Sequence, residues 1–422
     1  MTPPPIITTK DRGNDARRVN PNWAKLPLFD RSKWKRVRFG EVVENLNETC
    51  DPAEAGIERY IGLEHLAPGS LHIRVWGNTV DGTTFTRLCR LGQVLFGKRR
   101  AYQRKVAVAE FDAVVSGDIY VFAAKEDRLL LELLPFICLS ERFFKFAVET
   151  SAGSLSPRTN WSHLAQFEFA LPPLDQQRRI ADILWAVDSS LQASVETLTA
   201  TKCYRASFLR GALDSLPETR IRFRTVQELL AAGVIEAPQD GNHGELHPTA
   251  KDYVDNGIPF IMANDIRDGQ LSLSTCKRIA ENKAKGLRIG FAHPGDVLLT
   301  HKGTIGLTTI VPLGVGEFIM LTPQVTYYRI KDSKQLRREF LLAVFNSEQF
   351  QQLLAIRAKQ STRDYIGILA QRELPIVVPV IAEQDQIIQK LNEVDDAISA
   401  AKSQVSVLAS LLTALANRLL QA

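Results

Sequence analysis

Reactive chemistry is what this sequence has least of. Its 422 residues hold seven histidines, five cysteines and three methionines. Cys50, Cys89, Cys138, Cys203 and Cys276 lie far apart with no Cys-x-x-Cys pair. That excludes a zinc module and fits a reducing compartment, so the cytoplasm is the expected location. The scattered histidines have no metal-ligand spacing, and no G-x-S-x-G, H-E-x-x-H or Gly-rich dinucleotide fingerprint occurs. The Asn/Asp-Pro-Pro-aromatic motif of adenine methyl transfer is missing too: Leu171-Pro172-Pro173-Leu174 lacks both the amide and the ring. No run approaches the roughly 18 apolar residues of a membrane span, and no charged-then-apolar leader opens the chain. No membrane partner is expected. A net charge of +5 with pI near 8.9 is only mildly basic, so any nucleic-acid surface must be local.

What the chain does have is a repeated phrase. Leu171-Pro172-Pro173-Leu174-Asp175-Gln176-Gln177-Arg178-Arg179-Ile180 is echoed 207 residues later by Val378-Pro379-Val380-Ile381-Ala382-Glu383-Gln384-Asp385-Gln386-Ile387. The offset persists through Leu184/Leu391, Val187/Val394, Asp188/Asp395 and Leu191/Ile398. A period near half the chain length means a duplicated unit, and duplication favours pseudo-two-fold molecules. Such a protein invites a partner that is itself two-fold, and duplex DNA is the obvious one.

The pattern divides the chain into five parts. Residues 1–33 read as a disordered or extended tail, rich in proline and charge and poor in apolar residues. Residues 34–170 form a first domain of short strand-like runs, among them Tyr60–Leu63, Val94–Phe96 and Ile119–Phe122, with a helical stretch from Arg128 to Val148. Residues 171–216 form a central helix of about 60 Å, entered through prolines and stopped by Leu216-Pro217. Residues 217–377 repeat the first domain, with Gly295–Leu299 matching Gly92–Phe96 and a late helix from Arg337 to Leu354. Residues 378–422 form the last helix. Its apolar residues Leu391, Val394, Ile398, Ala401, Val405, Leu408, Leu412, Leu415 and Leu419 alternate steps of three and four. The central helix carries Leu184, Val187, Leu191 and Leu198 before Thr201 and Arg205 interrupt its seam. Heptad seams of this width predict an intramolecular antiparallel coiled coil. The expected fold is α+β: two similar globular domains separated by two long helices, with pseudo-two-fold symmetry.

At this level the chain resembles the specificity subunit of a type I restriction–modification system. The carriers are the Pro-rich lead-ins with Gln-rich helix starts at Leu171–Ile180 and Val378–Ile387, and their continuations Ile183–Asp188 and Lys390–Asp395. The stretch Gly295–Val311 and the turn Gln239–Glu245 add to them. The resemblance implies two target-recognition domains, each reading one half of a split site in double-stranded DNA, and helices that act as a ruler. It also implies docking of two modification subunits on the helices and their lead-ins, where Gln177, Asp188, Gln384 and Asp395 are the candidates. Restriction subunits would join. No cofactor is expected on this chain: S-adenosylmethionine belongs to the modification partner, ATP and magnesium to the restriction partner. The second lead-in lacks the second proline and leading aspartate of the first, so the two docking sites need not be equivalent.

Several residues are candidates for DNA contact. Lys98-Arg99-Arg100-Ala101-Tyr102-Gln103-Arg104-Lys105 puts five cations into eight residues after a strand-like run. On a hairpin tip they would meet phosphates or guanine edges; the bland reading is a solvated charge run. The matching stretch of the second domain offers Lys302 and Thr304 between Gly303 and Gly306. Asn242 and His243 sit in a glycine-flanked turn, where they would either bond base edges or hold the turn itself. Arg158 and Arg363 lie in polar loops that precede the last strand of each domain, and such loops either touch DNA or hold the domain to its helices. Two other classes stay open at this point: a self-contained nuclease or methyltransferase with an unrecognised motif, and a coiled-coil scaffold that binds only protein.

Overall fold

The computed structural model describes residues 31–125, 127–153, 156–359 and 365–420. Most of the expected tail, and with it Arg363, Ser154 and Gln360–Thr362 of the two polar loops, falls outside them. Two compact units emerge, one of residues 1–195 with 403–422 and the other of residues 196–402. The division falls inside the long helices, Leu174–Asp214 and Ile381–Leu420, so each helix contributes to both units.

The first unit begins with β1 (Lys35–Arg38) and β2 (Val43–Leu46), followed by β3 (Arg59–Ile61), β4 (Gly77–Asn78) and β5 (Arg87–Cys89). Then come β6 (Val94–Gly97), β7 (Val106–Val108), β8 (Ala113–Val115), β9 (Ile119–Ala124) and β10 (Glu168–Leu171). They form two four-stranded sheets, β2-β9-β6-β7 and β4-β3-β8-β5, and the pair β1-β10. All four residues of β6 are buried. Side chains of a strand alternate between faces. Val94 and Phe96 accordingly enter the core shared with the helices, while Leu95 enters a second core between the sheets. Tyr120 and Phe122 of β9 divide from Ile119 and Val121 in the same way.

The second unit follows the same plan. It contains β11 (Ile221–Thr225), β12 (Tyr253–Ile261), β13 (Ile266–Arg267), β14 (Gln270–Leu271), β15 (Lys277–Ile279) and β16 (Phe291–Ala292). β17 (Val297–Thr300), β18 (Thr308–Ile310), β19 (Ile319–Leu321), β20 (Val325–Tyr328) and β21 (Pro375–Pro379) complete it. It adds a β13–β14 hairpin and has a three-stranded sheet, β18-β17-β20, in place of β2-β9-β6-β7. Val297 and Leu299 face one core and Leu298 the other. The one parallel pairing of each unit matches as well: Tyr60↔Val114 with Ile61↔Val115, and Phe260↔Met320 with Ile261↔Leu321. Gly92 and Gly295 open β6 and β17 from left-handed backbone, φ 89° and 93°, which a side chain would strain.

Two expected helices are each broken in two. The stretch Arg128–Val148 resolves into Leu134–Leu139 and Glu141–Glu149, and Arg337–Leu354 into Arg338–Phe345 and Glu348–Lys359. The cause is the same in both. Ser140 and Ser347 leave the helical conformation or end it, and their hydroxyls accept from the amides of Phe143 and Phe350, capping a new helix.

The heptad residues pack as the sequence predicts within each unit. In the first, Leu184 and Leu191 share a core with Leu412, Ala416 and Leu419, and Val187, Val405, Leu408 and Leu415 line it. In the second, Leu209 meets Ile387 and Leu391. Burying such a side chain contributes about 1.5–3 kcal/mol. Where Arg205 interrupts the first seam it pairs with Asp395 through two hydrogen bonds of 2.5 and 3.0 Å, so the charged position is part of the helix contact. By length and hydropathy alone Ile381–Leu420 would also satisfy a membrane span, with a mean of 1.3 over its most apolar window, of which 6% is buried. Its residues Val407 and Leu411 stay exposed.

Candidate nucleic-acid interface

The lead-ins of both helices are fastened by one device. Gln177 accepts from the amide of Leu130 at 2.9 Å and donates to the carbonyls of Arg128 and Pro172 at 2.9 and 2.8 Å. Gln384 accepts from Arg337 and donates to Gln335 and Pro379 at 2.9, 2.8 and 2.9 Å. Every partner is displaced by the same 207 residues. Both glutamines are buried, at 1% and 0% exposure. This corrects their assignment as docking residues: the amides are spent inside the fold, with almost no surface to offer. Asp188 is likewise buried, its carboxylate 2.7 Å from His72 Nε2. Glu110 holds the other ring nitrogen at 2.8 Å. Burial pulls the His72 pKa down, but the hydrogen bonds and charges of Asp188 and Glu110 outweigh it and lift it to about 9. Asp188 thus ties the globular part of the first unit to its helix and is no docking surface, whereas Asp395 ties helix to helix in the second and stays half exposed.

The basic run 98–105 does sit on the turn of the β6–β7 hairpin, but its members differ. Arg100 and Tyr102 are exposed. Arg100 and Arg104 hold left-handed backbone, φ 54° and 56°, unusual for residues with a Cβ. Arg104 pairs with Glu141 and lies over the Phe144 ring, and Lys105 donates to the Leu63 carbonyl at 2.6 Å. These two are engaged inside the fold. Lys98 lies over the Tyr120 ring; burial, then the nearby Arg87, pushes its pKa down. Arg99 donates to the Ser156 hydroxyl at 2.6 Å and reaches Asp118 at 3.5 Å. Arg158, from the loop before β10, reaches the same carboxylate at 3.1 Å. Its backbone bridges that of Arg99.

The second unit builds the equivalent edge from other residues. Lys302 bridges the backbone of Tyr365, again 207 residues beyond Arg158, with its ammonium 5.8 Å from that ring. Lys302 and Thr304 are exposed, and Gly303 has φ 78°. Gly306, with φ 90°, lies against the Gln351 amide, which a Cβ there would displace. Behind them His301 is buried, donating from Nδ1 to the Ile366 carbonyl at 2.9 Å. Its Nε2 is 3.7 Å from Asp240, and burial holds its pKa down, so the ring is neutral. Asp240 also meets His243 at 2.9 Å, leaving the His243 ring half exposed. Of its two expected roles Asn242 takes the turn: it is 3% exposed, donates to the Ile289 carbonyl at 2.6 Å and accepts from the Arg288 amide at 3.0 Å. Its carbonyl and its amino group each hold the turn, and burial keeps the side chain from a base edge. Among the described residues no group of three His, Cys, Asp or Glu side chains is placed to hold a metal ion.

The sequence reading missed Asp118, His301 and Tyr365. The repeat could have found two of them: Asp118 occupies the turn position of Gln324, and Tyr365 lies 207 residues after Arg158.

A sequence model described as the type I restriction modification DNA specificity domain matches residues 31–200. The specificity subunit of the type I restriction enzyme EcoDI from Escherichia coli is 26% identical over 199 residues, 43% of each chain. The chain therefore spans less than half of that relative in the match. The MjaVIII specificity subunit from Methanocaldococcus jannaschii is 19% identical over 392 residues, covering 88% of both. The fold is shared with a chain solved in work on complex assembly and conformational transition of the type I R-M system, at TM-score 0.58 and 19% identity, over 92% of this chain and 98% of that one. Residues 31–200 thus match the type I restriction modification DNA specificity domain, and the chain is similar along most of its length to specificity subunits of type I restriction enzymes.

Proposed function

We propose that this chain is the sequence-specific DNA-recognition subunit of a type I restriction–modification complex, each unit reading one half of a bipartite site. The observation that carries this reading is the recurrence of one polar edge in both units. In each, the turn after a fully buried strand meets the loop before the last strand, through Arg99 and Arg158 in the first and Lys302 and Tyr365 in the second. The glutamine bonds that fasten each lead-in are repeated one for one, while the residues at the edge are not. That is how two readers of different half-sites should differ: phosphate contacts position, and varied side chains at base edges specify.

The chain supplies recognition and no chemistry. Methyl transfer from S-adenosylmethionine falls to modification subunits, and ATP- and magnesium-dependent cleavage to restriction subunits. With Gln177, Gln384 and Asp188 engaged internally, the exposed apolar residues Tyr204 on the first long helix and Val407 and Leu411 on the last offer better docking surface. The gap between the half-sites follows helix length, because a stiff helix pair keeps register that a Gly/Ser linker would lose. Inserting one heptad into both helices tests this: methylated halves of unchanged sequence at a new spacing are expected, and methylation at the original spacing would refute the ruler.

A further inference from the structure

Asp118 stands out as a carboxylate among the cations of the first unit's edge, near Arg99, Arg158 and Lys98. It lies where β8 turns into β9, its amide bonded to the Ser116 hydroxyl. Its carboxylate faces Arg99 and Arg158, which arrive on different segments. Lys98 and Arg87 are close enough to influence each other's charge, and Arg87 donates to the Ile119 carbonyl. Near a polyanion a carboxylate costs affinity, so its presence asks for a reason.

The second unit excludes the simplest one, that the fold needs a carboxylate here. The Asp118 carbonyl accepts the Lys98 amide, and at the corresponding place the Gln324 carbonyl accepts the His301 amide, both at 2.9 Å. The same turn is therefore built with a neutral amide side chain. Asp118 is 19% exposed at its side chain, while Arg99 and Arg158 are 40% and 57% exposed. The carboxylate sits beneath and the guanidinium groups above it. Each guanidinium spends part of its donor fork on the carboxylate and keeps the rest for a ligand.

Resting on the reading that this edge meets DNA, we propose that Asp118 is a positioning residue. It holds Arg99 and Arg158 side by side in a fixed orientation, and so converts two mobile cations into a pair that discriminates among base pairs in the half-site of the first unit. Two guanidinium groups this close would otherwise repel and sample many rotamers, binding any phosphate strand. Orientation that lowers general affinity while raising discrimination is the trade that the half-buried carboxylate makes.

The test compares the full-length chain with its Asp118→Gln variant, each assembled with its modification subunits. The variant gives the first unit the residue that the second already carries. Methylation mapping in cells first defines the site. Binding is then measured between 50 and 200 mM salt, on that site and on duplexes altered at each pair. The expected result is tighter binding to unrelated DNA with a steeper salt dependence, and discrimination reduced by about fivefold or more at one or two pairs of one half only. The other half and the gap should be unchanged. Unchanged discrimination, or an equal loss in both halves with a lowered melting temperature, would overturn the proposal. Arg99→Ala and Arg158→Ala separate the two levels. If they too leave binding and discrimination unaltered, the edge does not meet DNA and both readings fall. If they lose discrimination while Asp118→Gln does not, only the role of Asp118 falls.

Discussion

Replacing Gln177 with methionine keeps the volume and flexible stem of the side chain but removes its amide. Three backbone groups then lose their partner: the Leu130 amide and the carbonyls of Arg128 and Pro172. The Pro172 carbonyl bond is fully buried, and there water cannot replace the donor. An unsatisfied buried group costs about 1–3 kcal/mol, and the two half-buried groups, which water partly reaches, about 0.5–1 kcal/mol each. The loss should be on the order of 3 kcal/mol, well beyond the effect of an ordinary surface substitution. For a unit of this size that lowers its melting temperature by roughly 6–12 °C. Thermal unfolding of the full chain, followed by far-UV circular dichroism, should show this fall for Gln177→Met and again for Gln384→Met. Gln386→Met, at an exposed helix position, serves as the control. A shift for Gln177→Met or Gln384→Met no larger than that of the control would refute the claim that these amides fasten helix to domain.

The remaining predictions concern charge. His72 has a folded pKa near 9 against an ordinary value of 6.5, so its ion pairs stabilise fully below pH 6.5 and lose their effect as pH rises through 9. Urea unfolding should accordingly show about 1–2 kcal/mol less stability at pH 9.5 than at pH 6.5, after solvent screening, and His72→Gln should flatten that slope; parallel profiles would count against the assignment. Arg205→Met should cost no more than about 1 kcal/mol, since the pair with Asp395 is partly exposed, and a loss of several kcal/mol on denaturant titration would mean that the seam depends on it. Lys302→Ala should weaken binding to every duplex alike and reduce the salt slope by about one phosphate contact, whereas a loss confined to one sequence would make it a base reader.

The repeat made the architecture legible. Two helix starts at a fixed offset, with heptads behind them, located the long helices to within a few residues, because an apolar period near 3.5 leaves few ways to be buried. The helix breaks at Ser140 and Ser347 were not legible, since a serine is tolerated inside a helix until tertiary packing turns its hydroxyl to a cap. Nor was the fate of the glutamines. The resemblance implied a surface for partners at the lead-ins, yet the backbone groups of the preceding loops claimed those amides first. In the candidate interface the cationic run was visible, but not which members remain available. Arg104 and Lys105 are tied down by residues about 35–42 positions away, and no local pattern encodes such partners. The two readings of Asn242 could not be separated for a related reason: a buried turn satisfies itself with the same amide that would recognise a base.

The central claim is that two similar but differently faced units each read half of one site. Single-molecule sequencing of DNA from cells expressing this chain with its modification subunit measures that directly. The account predicts a split motif, methylated on both strands, with two unlike halves and a fixed gap. Methylation of one short unsplit motif, or no new methylation although the proteins associate, would contradict it.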